Sequence, residues 1–177
     1  VLTPFRNGEA DILIGTQMIV KGHDFPNVTL VAALAADMSL YAGDYRSSER
    51  TFELLMQASG RAGRAEKAGE VVIQTYNPEE YSIQAVAGQD AEYFYENELA
   101  FRRLMKYPPY SQMAAILILS EEENEAKTLS EKLAENMHSV CGDAVTLIGP
   151  SKAGLSRAKD RYRYVLYVKS MDEEAMA

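Results

Sequence analysis

A chain of 177 residues with 47% hydrophobic side chains is long enough for one ordinary core or two small ones. Its net charge of −8 argues against broad, non-specific binding to nucleic acid, and its single cysteine, Cys141, excludes an internal disulfide or a Cys-x-x-Cys metal knuckle. No apolar run approaches the roughly 20 residues that cross a bilayer, and no basic-then-apolar leader opens the chain, so a cytoplasmic protein with no membrane partner is expected.

In chain order, a first strand is predicted at Asp11–Gly15, short and apolar enough for a buried parallel strand. A loop with Pro26 leads to a second apolar run, Val28–Leu34, and Asp37–Arg46 shows turn residues and little periodicity. A helix is predicted from Ser47, with Phe52, Leu55, Met56 and Ser59 on one stripe, ending near Gly60 or Gly63. Glu70–Tyr76 reads as a central strand. Asn77-Pro78-Glu79-Glu80 reads as a helix start capped by Asn77, and a further helix runs from Asp90 to about Met105. Tyr107-Pro108-Pro109-Tyr110 stops it.

Beyond the prolines a compact α+β unit is expected. It comprises a strand at Gln112–Leu119, then a helix at Glu123–Val140 with Ala126, Leu129, Leu133, Met137 and Val140 on its apolar face. A strand at Ala144–Ile148 is ended by Gly149-Pro150. In the strand Arg161–Lys169, Tyr162, Tyr164, Leu166 and Val168 face one way and Arg161, Arg163, Tyr167 and Lys169 the other. The alternation assigns Tyr162 and Tyr164 to the core rather than to stacking on bases. Acid gathers at 121–135, whereas 152–169 carries six Lys or Arg against one Asp. Such local basic character can contact phosphate within an acidic chain.

Val1 is not an initiator methionine, and both ends fall close to predicted strands, so a piece of a longer protein is expected. The organisation expected is 1–76 as an α/β layer, 77–110 as a helical connector and 111–177 as the α+β unit.

The residues that carry chemistry are concentrated in two strings. Gln57-Ala-Ser-Gly-Arg-Ala-Gly-Arg64 places Arg61 and Arg64 three apart, with Gly60 and Gly63 keeping the backbone clear. A guanidinium keeps its proton and offers a planar fork of donors, which suits the charge on a transferring phosphoryl group. The bland alternative is a helix end where cations meet the negative dipole and glycine caps. About 40 residues upstream stands Gly15-Thr16-Gln17-Met18-Ile19-Val20-Lys21-Gly22-His23-Asp24. For Asp24 the alternative is a turn cap. His23 and His138 are the only histidines and lie far apart, so no metal site is expected.

In order and spacing the two strings resemble motifs V and VI of the second motor lobe of superfamily 2 helicases. Ile12–Val31, Asp44–Arg50, Gln57–Arg64, Gly69–Thr75 and the Leu104–Tyr110 stretch with its Tyr-Pro-Pro-Tyr together resemble the PriA family of replication-restart helicases, densest over 11–75. The resemblance implies an α/β fold: part of a RecA-like helicase lobe 2, followed by a small α+β C-terminal domain, here expected to be truncated and exposed at one edge. It implies Arg64 as arginine finger with Arg61 beside it, and Gln57, Gly22 and Asp24 near the nucleotide. It further implies Thr16, Gln17 and Lys21 on the nucleic-acid backbone, and Arg161 and Arg163 on DNA or on an acidic partner, or else merely a solvated strand face.

For the whole protein the resemblance implies an ATP-dependent DNA helicase of 3′ to 5′ sense, active in primosome assembly and replication restart. It implies ATP with Mg2+, held mainly by a first lobe that is not in this sequence, and zinc on cysteines that are also not in it. Its implied partners are branched and single-stranded DNA, the tail of the single-strand-binding protein and other primosome proteins. No Gly-x-x-x-x-Gly-Lys-Ser/Thr occurs, so this chain alone is expected to be inactive toward ATP. A non-catalytic scaffold and a pure translocase stay open beside that reading.

Overall fold

The computed structural model describes residues 2–16, 25, 27–41, 43–62, 69–172 and 174–176. In order they form α1 (Leu2–Arg6), β1 (Leu30–Ala33), α2 (Asp37–Leu40), α3 (Ser47–Ser59), β2 (Glu70–Ile73), α4 (Tyr81–Gly88), α5 (Ala91–Met105), β3 (Gln112–Ser120), α6 (Glu123–Cys141), β4 (Thr146–Ala158) and β5 (Arg161–Ser170). Single 3₁₀ turns follow α6 and β5. Internal contacts divide the chain into Val1–Glu98 and Leu99–Ala177. Among the described residues no helix is long and apolar enough to cross a membrane.

The first unit is an α/β layer, as expected. β1 and β2 pair in parallel, Leu30 opposite Glu70 through Ala33 opposite Ile73. Parallel neighbours need a crossover, and the segment holding α2 and α3 supplies it. The core lies where the helices meet: Phe52 and Leu55 of α3, Ile83, Ala85 and Val86 of α4, and Phe94 of α5 are all buried. Phe52 and Phe94 stack at 4.1 Å between centroids and 2° between planes. Each such ring removed from water stabilises by about 1.5–3 kcal/mol.

Several expectations for this unit are corrected. Residues 11–15 are irregular, and Ile12 and Ile14 are 77% and 88% exposed. A strand exists only where a neighbour takes its N–H and C=O groups, and among the described residues none pairs with this segment. β2 is not central there either, since β1 is its one described neighbour and Val71 and Val72 stay partly exposed. The turn-rich stretch after residue 36 holds a one-turn helix, α2. Glu80, not Asn77, caps α4, its carboxylate accepting from Ser82 N and Ile83 N. A carboxylate there meets the helix's unpaired N–H groups with full charge. α5 starts beside Asp90 as expected, and the Asp90 carboxylate accepts from Tyr93 N at 2.9 Å.

The second unit is an antiparallel sheet of order β3-β5-β4 with α6 across one face. β5 is central, so Leu166, Val168 and Tyr164 are buried against the helix side. The predicted helix stripe holds at Ala126, Leu133 and Met137 and fails at Leu129 and Val140. Ala126 and Ser130 are fully buried, whereas Leu129 and Val140 are 48% and 83% exposed. Close approach of helix and sheet selects the small side chains at the contact.

Gly149-Pro150 does not end β4 as predicted. It forms a bulge between Ile148 and Ser151, and the strand continues to Ala158. Gly149 has φ +103°, and a Cβ there would meet Val165 O at 3.0 Å, so only glycine fits. Lys159 and Asp160, at φ +51° and +57°, then make the two-residue hairpin turn whose twist matches paired strands.

Candidate functional site

Helix α3 carries Gln57 and leads into Arg61, and its register is held at several points. Thr51, 1% exposed, donates to Ser47 O at 2.8 Å and lies 2.8 Å from Ser39 Oγ, and Ser39 Oγ donates to Ala36 O. Ser47 Oγ donates to Asp44 O at 2.6 Å. Arg46 grips Glu49 through two nitrogens at 3.1 and 3.0 Å, and Arg50 reaches Asp44 at 2.7 Å. The Glu49 carboxylate raises the pKa of the Arg46 guanidinium, first through the hydrogen bond and then through charge.

The far end of α3 presents Gln57, exposed, and then Arg61, half-buried, one turn later. The helix tightens as it ends. Arg61 N donates to Ala58 O and Ala62 N to Ser59 O, an i to i+3 pattern that satisfies the last carbonyls. Gly60 lies at the C-cap. Gln57 and Arg61 therefore share one helix end. Thr16 is exposed in an irregular segment. Arg64, Gln17, Lys21, Gly22 and Asp24 lie outside the described residues.

A feature that the sequence reading passed over is the carboxylate of Asp37, 5% exposed. It accepts from Thr75 Oγ1 at 2.5 Å, Tyr76 N at 2.8 Å and Asn77 N at 3.3 Å, tying the start of α2 to the segment that leaves β2. The Thr75 hydroxyl first, and then the Tyr76 N–H, hold its pKa below the usual carboxylate value. Gln74 Oε1 adds a bond from Ala35 N at 2.7 Å. An acid three residues beyond the apolar run Val28–Leu34 was the available signal. A second buried carboxylate, Glu98 at 3% exposure, accepts from Tyr81 Oη at 2.6 Å. Burial, and then this bond, raise the tyrosine's pKa.

In the second unit the two arginines expected on a basic face separate from the cations near them. Arg161 is exposed and Arg163 half-buried, on the side of β5 away from Tyr162 and Tyr164. Arg157 is opposite Tyr162 in register, and its guanidinium lies over that ring at 5.2 Å. Lys152 reaches Glu123 of α6 at 2.5 Å, which raises its pKa. Lys169 donates to Met105 O at 3.0 Å and covers Tyr107 at 4.8 Å. As expected Tyr164 is in the core, and Tyr162 is half-buried beneath Arg157.

The comparisons with known proteins cover the same two regions. The family described as "Helicase conserved C-terminal domain" matches residues 1–66, and that described as "Primosomal protein N C-terminal domain" matches residues 103–177. "Replication restart protein PriA" of Bacillus subtilis (strain 168) is 49% identical over 177 residues, which is 100% of this chain and 22% of that protein. The protein of the same name from Synechocystis sp. is 42% identical over 169 residues, 96% of this chain and 20% of its own length. That of Rickettsia felis is 40% identical, over 95% of this chain and 26% of its own length. The chain thus spans about a fifth to a quarter of these relatives. A RecA-like helicase portion followed by a primosomal C-terminal unit, each recognised separately and both contained in one set of relatives, places this chain in the PriA family of replication restart proteins.

Proposed function

We propose that the chain is part of an ATP-dependent DNA helicase of 3′ to 5′ polarity, which restarts stalled replication forks by assembling a primosome. The observation that carries this reading is the end of α3, where Gln57 and Arg61 share one tightened helix terminus. A guanidinium there, that of Arg61, fits a polyphosphate. It offers planar donors that cannot be neutralised, at the end of a helix whose register a buried hydroxyl chain holds.

ATP with Mg2+ supplies the phosphoryl group whose transfer drives the motor. A P-loop would hold it, and none occurs in these 177 residues. Arg64 meets the charge on the γ-phosphate and Arg61 supports it, while Gln57, Gly22 and Asp24 line the nucleotide side. Thr16, Gln17 and Lys21 touch the DNA backbone. Arg161 and Arg163 bind branched DNA or the acidic tail of the single-strand-binding protein. The family's zinc has no ligand set in this stretch, where Cys141 stands alone.

Arg64→Ala in the full-length protein tests the reading. ATP turnover is expected to fall about a thousandfold or more, the range of an arginine finger, with DNA affinity kept. Near-normal turnover would remove the assignment and favour a scaffold. The 177-residue chain alone is expected to show no hydrolysis above buffer.

A further inference from the structure

A run of hydrogen bonds locks the exits of β1 and β2 to each other. Gln74 N donates to Ala33 O at 2.8 Å, Ala36 N to Gln74 O at 3.0 Å, and Ala35 N to the Gln74 side-chain Oε1 at 2.7 Å. Asp37 extends the clamp by accepting from Thr75 Oγ1, Tyr76 N and Asn77 N. Inside it Ala35 stands at φ +51°, a left-handed conformation that an alanine keeps only where its surroundings impose it. Backbone over-determined in this way gathers where geometry serves function.

The clamped segment also grips α3. Ala36 is buried in the core cluster that holds Phe52 and Leu55, and Ser39 is bonded to the buried Thr51 hydroxyl at 2.8 Å. The chain from Ala35 to Ser39 is therefore held by the β2 exit on one account and by the middle of α3 on the other. Helix α3 runs on from Leu55 to Ser59, with Gly60 as C-cap and Arg61 next. Arg61 is thus roughly 9 Å along the axis from Leu55, a span over which a hydrogen-bonded helix is stiff. The helix end goes where its buried middle is fixed.

We propose that Asp37 is a positioning residue for phosphoryl transfer: by tying the β1 exit to the β2 exit it fixes where α3 stands, and so where the Arg61 end of that helix meets the transferring group. The proposal rests on the ATP-driven motor reading above for the reaction, and adds the residue that sets the arginine's place. Asp37 acts through Thr75, Tyr76 and Asn77 rather than on the nucleotide. A carboxylate suits the task because both its oxygens accept, Oδ1 from Thr75 and Asn77 and Oδ2 from Tyr76. In asparagine one of those positions becomes an NH2 that faces a donor. A charge-stabilising group displaced by about 1 Å can cost on the order of a hundredfold in rate. The loss falls on kcat rather than KM, because the interaction is made with the transition state.

The test is steady-state, DNA-stimulated ATP hydrolysis by the full-length protein. Asp37→Asn is expected to lower kcat about tenfold or more, with KM for ATP and single-strand affinity kept. Thr75→Val, which removes one donor of the clamp, should lower kcat by less, and Thr75→Ser, which keeps the hydroxyl, should restore it. Val86→Ala loosens the same core away from the clamp, and should lower Tm while keeping kcat. Unchanged kcat in Asp37→Asn and Thr75→Val overturns the proposal, as does an equal loss of kcat in Val86→Ala. A rise in KM that accounts for the whole loss also overturns it. A circular-dichroism melt reports whether each variant folds, and if Asp37→Asn does not, the two Thr75 variants carry the test. Arg64→Ala inactive beside a fully active Asp37→Asn removes the clamp and leaves the motor reading standing. A wild-type protein without hydrolysis removes both.

Discussion

The two units use their sheets in opposite ways. In the first, β1 and β2 are four residues each, parallel, and partly exposed at Leu30, Val71 and Val72; its core is built by helices around Phe52 and Phe94. In the second, β5 is paired on both sides by antiparallel neighbours over most of its length, one of them through a two-residue hairpin, and the sheet itself is the core. Antiparallel strands can be closed by a local turn. Parallel strands depend on distant chain to complete their layer. The second unit is thus the more self-sufficient sheet, and the first is a helical core with an under-paired sheet edge among its described residues.

Truncations sharpen that contrast. Leu166→Ala in the middle of β5, at 0% exposure, should cost about 2–5 kcal/mol and melt the second unit at a lower denaturant midpoint. Phe94→Ala should cost a comparable 3–5 kcal/mol in the first unit, since the ring is 1% exposed and stacked on Phe52. Val72→Ala, in a strand but 44% exposed, should change either melt by less than about 1 kcal/mol. Val72 matching Leu166 in cost would break the comparison, by making the parallel sheet as much a core as the antiparallel one.

Acid should act first on the first unit. The folded pKa of Asp37 is depressed, so its contribution is present above the unfolded carboxylate value, near 3.8, and is lost as pH falls through the folded value. An acid titration by circular dichroism should show the first unit loosening below about pH 4. Asp37→Asn should lower stability at neutral pH, where its amide nitrogen cannot accept from Tyr76 N, and should flatten the acid limb. The smallest effect is expected from Lys152→Ala. Its partner Glu123 and the lysine itself are 39% and 59% exposed, and loss of the pair should lower Tm by under about 4 °C.

Elements with strong local codes were legible without coordinates. The span of α3, its stripe of Phe52 and Leu55, the stop at Gly60, the helix start beside Asp90 and the alternation of β5 all follow from periodicity and capping chemistry acting over a few residues. The misread ones depended on neighbours distant in the chain. The 11–15 segment had the composition of a strand, but composition does not supply a partner. Gly149-Pro150 had the composition of a terminator, yet pairing with β5 carried the strand past it as a bulge.

Sequence alone determined the order of the elements from α3 to β5, the two strings that carry Arg61 and Arg64 and Thr16 to Asp24, and the family they belong to, because spacing along a chain is a property of the chain. Tertiary structure alone decided which buried acid matters. The burial of Asp37 and Glu98 follows from the segment after β2 and the Tyr81 hydroxyl being brought to them. It also decided which cations share a face. Arg157, Arg161 and Arg163 are neighbours in sequence, but the hairpin register sends Arg157 to the ring of Tyr162 and turns the other two away from it. A side chain's face is set by pairing between strands, and pairing is not written in any one strand.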